Sequence, residues 1–204
     1  IDRHIPVWNP GGQYMSSVYK RIFMILSLTY LTGCGSILAT FESNSIEDEP
    51  GERSLAEQVL DESIETKAIV NIRAANAAFD DLGFLVVSYN GYVLIAGEVP
   101  NQGLKDEASA VVREIEGVRR IYNELVIGPK STSGTEANDV WLTTKIKTAL
   151  LTDSEVPSLR VKVVTENSVV YLMGLLSTEE ANRTAAAAAD VDGVTRVVRL
   201  FELI

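Results

Sequence analysis

Tyr92-Val-Leu-Ile-Ala-Gly-Glu-Val99 is a mainly apolar run, and it recurs downstream as Val169-Val-Tyr-Leu-Met-Gly-Leu-Leu176. The two runs align with Gly97 over Gly174. Shorter matches flank them, with an offset that drifts only from 78 to 76 residues: Thr66-Lys67 over Thr144-Lys145, and Glu116-Gly117-Val118 over Asp192-Gly193-Val194. Repetition over such a length predicts two copies of one small domain.

The first copy has a clear order of elements. Residues 84–89 and 92–99 are predicted strands, and Asn90-Gly91 between them favours a two-residue hairpin, in which both central residues need positive φ. Residues 101–116 form a predicted helix closed by Gly117, and 119–127 form a last strand. Upstream, apolar residues at three- and four-residue steps predict one helical stripe: Leu60, Ile64, Ala68, Ile72, Ala75 and Phe79.

The second copy repeats this order, which is αββαβ. Its predicted elements cover residues 139–151, 161–166, 169–176, 178–190 and 195–203. The fold class is therefore α+β, with two tandem domains at 58–128 and 139–204. Each is expected to be a three-stranded mixed sheet packed on two helices. Residues 129–138 have the Gly, Pro and Ser content of a linker.

The segment before the repeat reads as a lipoprotein signal. Lys20-Arg21 precedes a ten-residue apolar run, which is too short to span a bilayer, and Leu31-Thr32-Gly33-Cys34 follows it. We expect residues 1–14 to be an upstream or non-native leader and 15–33 to be the signal peptide. The alternative is a buried strand that ends in a free cysteine.

Leu31 to Cys34 resembles the lipobox of bacterial lipoproteins, which implies acylation, including palmitate, at Cys34. Gly35 follows the cysteine, and by the same resemblance it permits export to the outer membrane. The expected location is the outer membrane, lipid-anchored and facing the periplasm. Residues 34–57 are polar and acidic and are expected to form a flexible tether.

Composition excludes several classes of function. Without residues 1–33 the chain holds 15 Lys and Arg against 27 Asp and Glu, a net charge near −12, which argues against nucleic-acid binding. The sole histidine, His4, lies in the leader, so histidine-based catalysis and zinc sites are not expected. No phosphate-binding glycine motif occurs. We expect no enzyme, no cofactor and no metal, and acidic pairs such as Asp80-Asp81 are expected to be surface charge.

The repeat resembles a known family. The αββαβ order, the strand with its glycine and the Gly-Val before the last strand resemble the BON domain of Gram-negative periplasmic and outer-membrane proteins. Agreement is best in the second copy, at residues 141–146, 150–152, 165–167 and 173–175. Two copies behind a lipobox resemble the dual-BON outer-membrane lipoproteins. The resemblance implies a non-enzymatic protein whose second BON domain binds anionic phospholipid through its first helix.

The positions of residues around this helix support a membrane contact independently of the resemblance. Leu142, Ile146 and Leu150 share the sector that faces the core, so Trp141 points away from it, with Lys145 on its flank. A tryptophan beside lysines suits an anionic membrane interface. The position that matches Trp141 in the first copy is Ser63, so the fold does not require tryptophan there. The expected phospholipid-contact residues are Trp141, Leu142, Lys145, Lys147 and Thr148.

Other interpretations stay open at this point. Trp141 is also compatible with packing between the two copies, since tryptophan is enriched at protein interfaces. A separate alternative is a protein-interaction adaptor of the cell envelope, in which the same surface docks an envelope partner and the acyl anchor alone attaches the chain to the membrane. Cation binding by scattered carboxylates is a more distant alternative. In the favoured interpretation the partner is an anionic phospholipid membrane, and the protein supports envelope integrity, including at the division site.

Overall fold

A computed structural model describes residues 51–130 and 132–204. The predicted leader, signal peptide and Cys34, and the tether up to residue 50, lie outside the described residues. The described residues belong to one compact unit.

The first copy has the predicted αββαβ order. Its helices are α1 (Leu55–Ala75) and α2 (Gln102–Arg113), and its strands are β1 (Phe84–Tyr89), β2 (Tyr92–Val99) and β3 (Arg120–Ile127). The strands lie in the order β1-β2-β3, with β1 antiparallel and β3 parallel to β2. The predicted mixed three-stranded sheet is confirmed.

The predicted helical stripe of the first copy is only partly buried. Ile64, Ala68 and Ile72 are fully buried, whereas Leu60 is 45% exposed and Ala75 is exposed. Helix α1 ends before Asn76, whose side chain accepts a hydrogen bond from the Ala78 backbone and caps the short 3-10 turn Ala77–Phe79. Phe79 therefore reaches the core from this turn and not from the helix.

The second copy repeats the fold with two differences. Its elements are α3 (Ser133–Thr152), β4 (Val161–Glu166), β5 (Val169–Leu176), α4 (Thr178–Ala189), β6 (Arg196–Arg199) and β7 (Glu202–Leu203). Helix α3 begins six residues before the predicted start, so much of the predicted linker is helical; Glu136 in its first turn suits the positive end of the helix dipole. The predicted last strand is interrupted after Arg199, and both pieces pair parallel with β5.

A buried aspartate of the first helix holds the hairpin turn in each copy. Asp61 accepts hydrogen bonds from the backbone N–H groups of Asn90 (2.7 Å) and Gly91 (2.9 Å). In the second copy Asp139 accepts from Asn167 (2.6 Å) and Ser168 (2.9 Å). Both turns have positive φ at their two central residues, as the Asn-Gly pair predicted for the first. The aspartates thus satisfy buried donors that the hairpins leave unpaired.

The two sheets pack against each other. Successive side chains of a strand point to opposite faces, and in β2 Val93 and Ile95 face the helices while Leu94 and Ala96 belong to a cluster shared with the other copy. The layers are therefore helices, sheet, sheet and helices. Buried residues of the shared cluster come from both copies: Tyr89, Leu94, Ala96, Val164, Tyr171, Met173 and Leu200.

Polar contacts surround the shared cluster. The Tyr89 hydroxyl donates to the Arg160 carbonyl at 2.8 Å, and the Lys162 ammonium pairs with Glu65 at 2.9 Å. Arg119 of the first copy donates two hydrogen bonds to Glu202 of the second, at 2.6 and 2.8 Å. These contacts fix the register in which the apolar faces meet.

Candidate functional site

The outer side of α3 carries the candidate site. Leu142, Ile146 and Leu150 are buried in the second core and fix the inward side of the helix. Trp141, 58% exposed, and Thr148 lie on the outward side. Trp141 is therefore not buried between the copies, and that alternative is wrong.

Trp141 and Lys145 form one unit at this surface. The Lys145 Nζ lies 4.4 Å from the centre of the Trp141 ring, within cation–π range. The same ammonium donates a 2.8 Å hydrogen bond to the backbone carbonyl of Asp192, in the loop after α4. The hydrogen bond to the loop after α4 thus holds the Lys145 ammonium beside the indole. It uses one of the three N–H donors of the ammonium group.

A shallow concavity of about 440 Å³ opens beside this pair. The apolar part of its lining comes from the Trp141 ring, Ala149 and Val191, and the polar part from threonines, Lys145 and Asp192. The complete lining is Trp141, Thr144, Lys145, Thr148, Ala149, Val191 and Asp192. The arrangement can take an apolar group next to a negatively charged one.

The threonine hydroxyls of this face donate hydrogen bonds to backbone carbonyls of α3 itself. The Thr144 hydroxyl bonds the Val140 carbonyl at 3.0 Å, and the Thr148 hydroxyl bonds the Thr144 carbonyl at 2.9 Å. Because these hydroxyl hydrogens are already used, the surface presents threonine methyls and acceptor oxygens without an unsatisfied donor. The threonine hydroxyl donors therefore add little to the cost of moving this face into a poorly hydrated environment.

The structure places the five predicted contact residues in three different environments. It brings Trp141, Lys145 and Thr148 together at the concavity. Lys147 is exposed but does not line it. Leu142 is 1% exposed and packs in the second core, so its side chain has no surface for a lipid contact. Its inclusion among the contacts is corrected: it shares the helix with Trp141 but not the face.

Two exposed apolar residues on α3 lie outside the set of contacts predicted from the sequence. Val140 is 70% and Leu151 is 62% exposed. At about 100° per residue Leu151 lies roughly 80° from Trp141, so the helical wheel contained the signal for it. The contribution of Val191 and Asp192 had no such signal, because it depends on how the loop after α4 meets α3.

The first copy lacks this surface. Counted at the offset of 78 residues that relates the first helices, Glu62 stands for Val140, Ser63 for Trp141 and Arg73 for Leu151. The same helix of the same fold is therefore charged and polar where α3 is apolar. The apolar face of α3 is a property of the second copy and not a requirement of the fold.

A group of carboxylates lies where α3 begins. Burial, together with the negative charges of Glu98, Asp139 and Glu136, raises the pKa of Glu166, at the end of β4, to about 7. Glu98 comes from the first copy and accepts a hydrogen bond from the Asn167 amide of the second. Among the described residues no group of acidic, histidine or cysteine side chains has the arrangement of a metal site.

Comparison with known proteins defines the family. The sequence profile of the BON domain matches residues 61–129 and again 138–204, and the chain belongs to the BON-domain family. This family has no known catalytic activity. None of the helices in the described part of the chain is long and apolar enough to cross a membrane.

Three relatives are similar over most of the chain. The Outer membrane lipoprotein DolP of Haemophilus influenzae is 34% identical over 188 residues, which cover 91% of this chain and 97% of that protein. The 21 kDa hemolysin of Actinobacillus pleuropneumoniae is 38% identical over 152 residues, covering 74% and 78%. The Osmotically-inducible protein Y of Escherichia coli is 26% identical over 186 residues, covering 87% and 92%.

Proposed function

We propose that this chain is a non-enzymatic, lipid-anchored protein of the outer membrane whose second BON domain binds anionic phospholipid through the outer face of α3. The observation that carries the proposal is the exposed Trp141 ring with the Lys145 ammonium 4.4 Å from its centre. Tryptophan settles at the headgroup level of a bilayer, where its ring is half desolvated. A lysine near an anionic surface adds about 1 kcal/mol of attraction.

The rest of the face suits a helix that lies along the interface. Val140 and Leu151 extend the apolar surface beyond Trp141 in both directions along α3. Lys145 and Lys147 lie toward its opposite flanks, at about +40° and −120° from Trp141 around the helix axis. An apolar strip bordered by lysines is the pattern of helices that insert shallowly among headgroups.

Attachment by lipid is the second part of the proposal. The sequence from Lys20 to Cys34 predicts an acylated cysteine, and a relative that matches 91% of this chain is named an outer membrane lipoprotein. The acyl chains hold the protein at the membrane, and α3 gives it a preference for anionic phospholipid. We further propose, from the family resemblance, that this binding supports envelope integrity, including at the division site.

Vesicle co-flotation of residues 48–204, which lack the acylated cysteine, tests the lipid site. We expect this fragment to float with vesicles that contain phosphatidylglycerol and not with pure phosphatidylcholine. Trp141→Glu should abolish flotation while the circular dichroism spectrum stays unchanged, because the ring is outside the core. The matched control is Ser63→Glu at the equivalent position of the first copy, which should float normally.

Two results oppose the proposal. If Trp141→Glu floats as the unaltered fragment does, the contact lies elsewhere. If the unaltered fragment binds neither kind of vesicle, the same face is better explained as a docking surface for an envelope protein, with the acyl anchor as the sole membrane attachment.

A further inference from the structure

The first BON domain has a concave surface of its own, where α2 ends and β3 begins. It encloses about 210 Å³, and arginines make up most of its lining. We call it the arginine notch; its residues are Arg113, Val118, Arg119, Arg120 and Ile121. Three arginines line one concavity in a chain whose net charge is −10. Because the overall charge repels anions, only a local basic feature of this kind can attract one.

Tyrosine rings position two of the guanidinium groups. Those of Arg119 and Arg120 lie 5.2 and 5.0 Å from the centre of the Tyr92 ring, and Arg120 lies 6.0 Å from the Tyr122 ring. A guanidinium group held by an aromatic ring loses less freedom when its N–H donors bind an anion. The notch is therefore partly organised before any ligand arrives.

The three arginines differ in how many hydrogen bonds and ion pairs their guanidinium groups already make within the protein. Arg119 is bound to Glu202 by two hydrogen bonds and to the Asn90 carbonyl by a third, at 3.1 Å. Arg120 makes one long contact, 3.3 Å, to the Tyr122 hydroxyl. Within the described residues neither Arg113 nor Arg120 has a carboxylate at ion-pair distance. Both side chains are exposed and retain donors for a ligand.

The second copy shows that the fold does not require this arrangement. Strand register pairs Tyr92 with Arg120 in the first copy and Val169 with Arg196 in the second, which makes these pairs equivalent. Val169 thus stands in the second copy where the first has Tyr92. Arg196 forms an ion pair with Glu124 at 3.6 Å. At the offset of 76 residues Arg113 is matched by Ala189 and Arg119 by Thr195.

The geometry points to a binding site for a phosphate ester in the arginine notch. Guanidinium groups match the oxygens of a phosphate by paired N–H donors, and Arg113 and Arg120 supply two such groups. The notch is larger than a phosphate alone, and Val118 and Ile121 give it an apolar side. A phosphate that carries a short organic group fits this lining better than a bare inorganic ion. The notch shares no residue with the α3 site.

Amide NMR of residues 48–204 titrated with glycerol 3-phosphate and with inorganic phosphate tests the assignment, against sodium chloride at equal ionic strength. We expect saturable shifts at residues 113 and 118–121, larger for the ester. Arg113→Gln/Arg120→Gln should weaken this binding at least tenfold. The charge-matched control is Arg73→Gln/Arg199→Gln, which alters two exposed arginines outside the notch and should bind as before.

Vesicles distinguish the source of the phosphate. They are added to the Trp141→Glu variant, in which the α3 site is silenced. Broadening of the notch signals by phosphatidylglycerol vesicles identifies a lipid headgroup, and shifts with soluble esters alone identify a soluble ligand; both support the site. Absence of saturable shifts, shifts that persist in Arg113→Gln/Arg120→Gln, or tighter binding of a polyglutamate peptide than of either phosphate would overturn it.

Discussion

The Lys145 ammonium lies 4.4 Å from the centre of the Trp141 ring and donates a hydrogen bond to the Asp192 carbonyl, so one side chain joins α3 to the loop after α4. The exposed indole therefore stands next to a charge whose place is fixed by a second element. A flexible lysine on an isolated helix has no such constraint. This relationship gives the proposed membrane contact both its apolar and its electrostatic part.

Lys145→Glu is expected to weaken binding to anionic vesicles more than Lys147→Glu does, because only Lys145 is held against the tryptophan. Both variants should stay folded, since their ammonium groups lie at the surface. Raising the salt concentration toward 1 M, where the screening length is about 3 Å, should reduce the difference between them. Vesicle co-sedimentation at several salt concentrations measures both effects; equal losses for the two lysines would contradict the role given to Lys145.

Leu151→Glu should reduce vesicle binding, because Leu151 is one of the exposed apolar residues of α3. It places a charge on the apolar strip, about 15 Å along the helix from Trp141 at 1.5 Å per residue. The melting temperature should change little, because the side chain is 62% exposed. Val59→Glu on α1, where the parent residue is also exposed, is the control and should bind normally. Unchanged binding by Leu151→Glu would restrict the contact to the surroundings of Trp141.

Ser168→Gly is expected to stabilise the protein by about 1 kcal/mol. Ser168 has φ of 60°, a left-handed conformation that costs a residue with a Cβ roughly 1–2 kcal/mol and glycine almost nothing. The loss of its hydroxyl contact with Asn138, 3.3 Å and exposed, offsets little of this. Thermal unfolding should show a rise of about 2–4 °C. A lower melting temperature would mean that the turn depends on the serine side chain.

The reverse change in the first copy should be harmful. A Cβ at Gly91 meets the Gly117 carbonyl oxygen at 2.4 Å, so Gly91→Ser combines an unfavourable φ with a backbone clash. The two hairpins are thus alike in conformation and opposite in their tolerance of a side chain.

The contribution of Glu166 to stability should fall as the pH rises from about 4.5 to about 7. Burial, reinforced by Glu98, Asp139 and Glu136, raises the pKa of Glu166 from 4.5 to about 7 in the folded chain. The folded state therefore holds this proton more tightly than the unfolded one. The resulting stabilisation is complete below the unfolded pKa and is lost as Glu166 ionises near pH 7. Glu166→Gln should flatten the pH dependence of stability to urea between about pH 5 and 7, the interval between the two pKa values; an equal slope in both proteins would refute the shift.

Patterns of local sequence predicted most of the fold. The strand limits 84–89, 92–99, 161–166 and 169–176 agree with the structure, because each hairpin has a two-residue turn of Asn followed by Gly or Ser. The start of α3 was misplaced, since Ser133 and Gly134 have the composition of a linker although they lie in the helix.

Packing between the copies was harder to predict. Consecutive apolar residues, as in Val93-Leu-Ile-Ala96, indicate a strand buried on both faces, and the second face is the one that meets the other copy. Which surface covers it depends on contacts between residues far apart in sequence. A helical wheel of α3 predicts that Trp141 and Lys145 lie near each other on the outward side. The hydrogen bond from Lys145 to Asp192 could not be predicted, because it joins residues far apart in sequence.

Fluorescence of Trp141 tests the central claim most directly, because residues 48–204 contain no other tryptophan. On addition of phosphatidylglycerol vesicles we predict a shift of the emission to shorter wavelength, and quenching by lipids brominated near the headgroup end of their acyl chains. Phosphatidylcholine vesicles should cause neither change. Emission that stays at its solvent-exposed wavelength while the fragment binds the anionic vesicles would contradict the account, since the protein would then reach the membrane without the α3 face.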